Sequence, residues 1–139
     1  MQLTKFSDYA LRVLIYLARC DGDQVTISEI ARAHAVSESH LTKVVNRLGR
    51  AGYLLTARGK GGGIRLARSP QEITVGAVIR DLEPLVQVEC FAAGYKGGCR
   101  LFPGCSLMRV LHRAQRDYLS ALDRHTLAEI SVPRRAQAI

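Results

Sequence analysis

The stretch from Thr26 to Gly52 constrains the fold more than any other. Thr26-Ile27-Ser28-Glu29 has the capping-box pattern, in which the threonine hydroxyl and the glutamate carboxylate each satisfy an otherwise unpaired backbone amide, and it opens a short helix to about His34. Ala35 and Val36 break that helix. Ser37 then caps another, whose apolar stripe is Leu41, Val44, Val45 and Leu48, and which stops at Gly52, where a left-handed turn suits glycine. Two short helices on a three-residue joint predict a helix-turn-helix. Tyr53 to Arg58 and Ile64 to Arg68 follow as short strand-like runs around Gly59-Lys60-Gly61-Gly62-Gly63, which predicts a β-hairpin wing.

The flanking segments complete a mainly α fold with a small β-hairpin. Phe6, Ala10, Val13, Leu14 and Leu17 recur at helical spacing, so residues 5 to 20 form an amphipathic helix ended by Asp21-Gly22-Asp23. Thr74 caps a further helix that Pro84 stops. From there to Cys105 glycines and cysteines replace periodicity, the composition of a loop built around something. Leu107, Leu111, Ala114, Tyr118, Ala121 and His125 alternate by four and three, the spacing of a coiled-coil seam, which predicts a long C-terminal dimerisation helix; an amphipathic helix packed on its own domain is the alternative. Thr126-Leu127-Ala128-Glu129 repeats the capping pattern for a last short helix. The chain of 139 residues thus divides into a winged helix-turn-helix region (1–83), a cysteine loop (84–105), a dimerisation helix with a short terminal helix (106–132) and a flexible tail (133–139), around one core.

Charge indicates the partner. The net charge is +8, and residues 1–68 carry eleven Lys and Arg against five acidic groups, whereas residues 69–139 carry nine against seven. A polyanion is therefore the first partner to consider, and the N-terminal half is the half that would meet it. With the apolar stripe of the second helix of the pair inward, Ser39, Lys43, Asn46 and Arg50 point outward, flanked by His40, Thr42 and Arg47, with Ser37 at the helix start. Their hydroxyl, imidazole, amide and cationic groups suit base edges and phosphates in a major groove, while Arg58, Lys60 and Arg65 of the wing suit the backbone or minor groove. A merely solvated charged face is the plain alternative for any one of them. Useful affinity from so small a reader needs a two-fold homodimer on double-stranded DNA, an inverted-repeat operator. The N-terminus carries no secretory pattern, and Arg12 and Arg19 interrupt the most apolar early stretch, so a cytoplasmic protein without a membrane span is expected.

In that compartment cysteines serve metals or redox chemistry more often than disulfides. Cys90 and Cys99 are separated by eight residues, and Cys99 and Cys105 by five, with Gly94, Gly97, Gly98, Pro103 and Gly104 between them. Thiolates favour soft metals, and glycine backbones let amides donate to inorganic sulfide, which points to an iron-sulfur cluster. Structural zinc, which pairs cysteines two to four residues apart, and three unligated thiols are the other readings. Cys20 reads as a small buried apolar residue.

Phe6-Ser7-Asp8-Tyr9-Ala10-Leu11-Arg12, the run Arg58-Gly59-Lys60-Gly61-Gly62-Gly63-Ile64-Arg65-Leu66 and the three late cysteines together resemble the winged-helix repressors that include the iron-sulfur regulator IscR and the nitric-oxide sensor NsrR. The resemblance runs from Met1 to about Glu129. It implies a repressor, not an enzyme, with a cluster on Cys90, Cys99 and Cys105, 4Fe-4S favoured over 2Fe-2S. IscR-type members have a histidine three residues after the last cysteine, where this chain has Met108; Asp8 matches the aspartate by which NsrR-type members reach the partner's iron. Glu89, His112 and an external small ligand are the other fourth-ligand candidates. The interval from Cys90 to Cys99 is longer than in those relatives. The resemblance implies nitric oxide as the signal, with cluster status or general redox state as the IscR-type alternative. A zinc-stabilised DNA-binding protein and a cluster electron carrier are more remote.

Overall fold

A computed structural model describes residues 2–85, 88, 90, 92, 94–101 and 104–132. The elements run α1 (Lys5–Arg19), α2 (Ile27–His34), α3 (Glu38–Arg50), β1 (Leu54–Ala57), β2 (Gly63–Leu66), α4 (Val75–Leu82), α5 (Ser106–Asp123) and α6 (Leu127–Ser131). This is the expected mainly helical chain with a hairpin. The tail assigned to residues 133–139 lies outside the described residues, as does Glu89.

Local cap chemistry explains the helix starts. Thr4, Thr26, Ser37, Thr74 and Thr126 each accept a backbone amide three residues on, an interaction typically worth about 1 kcal/mol. At Thr26 the box is complete, because Glu29 reaches back to the Thr26 amide at 2.7 Å. Helix α2 ends on Ala35 in the left-handed region, and the turn after α3 places Gly52 at φ 79.

The core gathers around α1. Its face of Ala10, Val13, Leu14 and Leu17 packs with Ile30 of α2, Leu41, Val44 and Leu48 of α3, and Leu127 of α6. Strands β1 and β2 pair antiparallel in the register Leu54↔Leu66 to Ala57↔Gly63, and Val25 adds a bridge to Ile64 through two backbone bonds of 3.0 and 2.8 Å. The wing is thereby stitched to the segment ahead of α2. Helix α4 is tied to α5 by Arg80, whose guanidinium grips the Asp123 carboxylate, and to α1 through Glu83, which accepts from the Thr4 amide at 2.8 Å.

Glycine is demanded at two wing positions by close approach. A Cβ at Gly62 would enter the van der Waals shell of the Ala57 carbonyl, and one at Gly63 would lie 2.9 Å from the Val25 carbonyl oxygen. Gly62→Ala should therefore distort the hairpin tip at a strain of about 1–3 kcal/mol and weaken DNA binding about tenfold. Fluorescence anisotropy on labelled operator, beside a thermal melt, checks this; unchanged affinity would show that the tip does not touch DNA.

Candidate nucleic-acid interface and cysteine loop

The outward residues of α3 and the wing lie on one continuous chain segment. Ser39, Lys43, Asn46 and Arg50 are exposed, as are Arg58, Lys60 and Arg65 of the hairpin. Ser37 is spent partly on capping, accepting from the His40 amide at 3.4 Å, and its hydroxyl lies 3.3 Å from that of Ser39. Thr42 donates to the Glu38 carbonyl at 2.8 Å, so its hydroxyl is directed back along the helix. The His40 ring stacks on Tyr9 of α1, with centroids 6.3 Å apart. Arg47, at the flank of this face, is exposed, and its guanidinium donates to the Asp81 backbone carbonyl at 2.6 Å and so reaches α4.

Three residues to which the sequence pattern assigns no role at the site belong to this region. The Tyr53 side chain is buried and donates its hydroxyl to the Asp81 carboxylate at 2.6 Å, while the Arg68 guanidinium lies 4.5 Å over its ring. Burial, followed by the bond to Asp81, pushes the Tyr53 phenol up to about 12, so it stays a proton donor throughout the neutral range. An aromatic directly after a helix-ending glycine was the available signal, though it carried no hint of its partner.

Cys90 and Cys99 line a pocket of about 370 Å³ whose other walls are Ala92, Gly94, Tyr95, Gly97 and Gly98. The aromatic end of Tyr95 occupies the space that a Cβ on Gly97 would need. Cys105 stands at the N-cap of α5 without a side-chain capping bond, unlike the Ser and Thr caps elsewhere, so its thiol is not committed to the helix start. All three thiols are partly exposed and unpaired by disulfides. Desolvation pushes the Cys90 thiol up, and the charges of Cys99 and, less strongly, Cys105 add to the rise. Among the described residues no three His, Cys, Asp or Glu side chains stand in finished metal-binding geometry. The chemistry of the donor set fits a soft metal group: three thiols within sixteen residues of one glycine-rich stretch, two of them on one open pocket.

Asp8 lies in the first turn of α1, its side chain 46% exposed and held by Arg12 one turn on, at 3.0 and 3.1 Å. Met108 falls in the first turn of α5, and His112 lies on the same helix. Cys20 caps the C-terminus of α1 and donates to the Tyr16 carbonyl at 3.3 Å.

Residues 3–132 match the Rrf2 family, described as iron-dependent transcriptional regulators. The chain belongs to the Rrf2 family. It is 49% identical over 132 residues to the HTH-type transcriptional regulator NsrR of Geobacillus kaustophilus, covering 94% of this chain and 89% of that protein. Among solved structures it is similar to IscR of T. potens, with a TM-score of 0.74 at 26% identity over all of this chain and 93% of that one. It is similar also to CymR, the global cysteine regulator of B. subtilis, with a TM-score of 0.71 at 27% identity over 94% of this chain and 96% of that one. The winged-helix fold and the expected kinship are thereby established: this Rrf2 member is a DNA-binding transcriptional regulator and not an enzyme. No helix among the described residues is long and apolar enough to cross a membrane.

Proposed function

We propose that this Rrf2 protein is a cytoplasmic homodimeric repressor whose grip on an inverted-repeat operator depends on an iron-sulfur cluster, of the 4Fe-4S type, held by Cys90, Cys99 and Cys105, and that nitric oxide is its signal. The observation that carries the reading is that two of the three partly exposed thiols between α4 and α5, Cys90 and Cys99, line one glycine-walled pocket, with Cys105 at the start of α5. The likeness to a protein named NsrR supports the choice of signal, and Asp8 supports it further: an exposed carboxylate near the start of α1 can complete a ligand shell from the partner subunit.

When bound, such a cluster would supply iron able to take up a small diatomic molecule. This chain's own residues do the rest. Cys90 and Cys99 would hold the cluster from the pocket they line, and Cys105 would hold it at the start of α5. Asp8, paired here with Arg12, would be the carboxylate offered to the partner subunit's cluster, and Arg12 would set how freely it is available. Tyr9, next to Asp8, rests on His40 of the recognition helix, so a pull on α1 is felt where DNA would be read.

The test is anaerobic purification followed by iron and acid-labile sulfide counts, an absorption spectrum and operator gel shifts before and after nitric oxide, all on one sample. Iron with matching sulfide and operator release by nitric oxide are expected. Zinc alone, or colourless protein that binds DNA identically after attempted reconstitution, would refute the reading. Parallel exposure to oxygen and reductant separates a nitric-oxide sensor from a general redox regulator.

A further inference from the structure

Asp81, in the last turn of α4, collects ties from the DNA-reading half. Its carbonyl accepts from Arg47 of α3 at 2.6 Å, and its carboxylate accepts from Tyr53, the residue that leads α3 into β1, also at 2.6 Å. A carbonyl in the last turn of a helix has no partner within the helix, and a guanidinium is well suited to satisfy it. Tyr53 is 1% exposed, so its hydroxyl has little freedom to seek another acceptor. Two residues further on, Glu83 joins α4 to the start of α1, and Pro84 opens the segment that carries Cys90.

We propose that Arg47 and Tyr53 form a strut that fastens the recognition helix and the first strand of the wing to the root of the cysteine loop through Asp81, making Arg47 a positioning residue and not a DNA contact. A displacement of Asp81 then moves both attachments together, the end of α3 and the start of β1, and so reorients the two DNA-reading elements as one body. The regulatory half of this inference rests on cluster control as proposed above; the assignment of Arg47 as a strut does not.

Arg47→Ala, Tyr53→Phe and the double variant separate the possibilities, each measured on operator DNA across a salt series, with anaerobically loaded and cluster-free samples of known iron content. A phosphate contact removed from B-DNA lowers the salt slope of the binding constant by about 0.9. A strut leaves that slope at its wild-type value. The ratio of loaded to cluster-free affinity is expected to fall about threefold in each single variant and about tenfold in the double, because each substitution removes one of the two attachments to Asp81. Iron content stays at the wild-type level. A slope reduced by about one in Arg47→Ala makes Arg47 a DNA contact and overturns the strut. An unaltered ratio with an unaltered slope overturns the relay. If wild-type protein itself binds equally with and without cluster, cluster control fails and takes the relay with it, while the slopes still judge Arg47.

Discussion

Replacing Leu107 and Val110 together by glutamate is expected to yield a monomer whose operator affinity is lower by about a thousandfold, the scale that separates specific from non-specific binding. The reason lies in how little of α5 its own subunit covers. Only Leu119 on this 18-residue helix is buried, by packing toward α4, whereas Leu107 and Val110 are 55% and 61% exposed and share a face with Leu111 and Ala114. An apolar helix face that the subunit leaves in water is the kind of surface a second copy covers, and a two-fold pairing presents two recognition helices to two half-sites. Arg109, Arg113, Arg116 and Ser120 lie on the opposite face, so Ser120→Glu adds a charge to the same helix without entering the seam. Light scattering and anisotropy on the double variant, Ser120→Glu and wild type decide the matter. A dimeric double variant would move the interface elsewhere, and a monomer with wild-type affinity would remove the need for dimerisation.

How much of this was legible from sequence follows the range of the interactions involved. The caps at Thr26, Ser37, Thr74 and Thr126 are local chemistry within four residues, and each helix begins where its cap predicts. The hairpin was legible for the same reason, since its glycines meet steric demands made by atoms nearby in the chain, though Gly63 also answers to Val25, some forty residues away. Contacts between elements were not legible. Nothing in the order of residues turns Arg47 toward α4, seats His40 on Tyr9 or assigns Tyr53 to Asp81, because these depend on how helices sit once packed. The seam shows the same limit: its period was correct for a helix, yet burial of Leu119 and exposure of Val110 set which stripe is uncovered, and Val110 was not in the sequence-derived seam. For the cysteines, spacing suggested a soft-metal site, whereas the use of Cys105 as the N-cap of α5 emerged only from the fold.

The second large effect concerns that loop. Cys99→Ser, prepared without air, is expected to carry background iron and sulfide and to bind the operator about a hundredfold more weakly than loaded wild type, a coupling of about 3 kcal/mol. Serine keeps the size and polarity of the side chain but offers a hydroxyl that stays protonated at neutral pH and is a poor ligand for iron in a sulfur-rich site. The loss leaves Cys90 alone among thiols lining the pocket and Cys105 at the helix start, too few to hold a cluster. The winged-helix core should be untouched, because its buried residues run from Ala10 to Ile73 with Val78 and Leu127, none within the loop. The thermal transition of the cluster-free forms should therefore coincide. Cys20→Ser supplies the control: Cys20 belongs to the end of α1, where it donates to Tyr16 and where burial first, then Asp23 and Glu29, push its thiol up, so that variant should load iron and release DNA as wild type does. Operator binding by Cys99→Ser as tight as that of loaded wild type at physiological salt would mean that the loop does not govern the DNA-reading helices, whatever metal it holds.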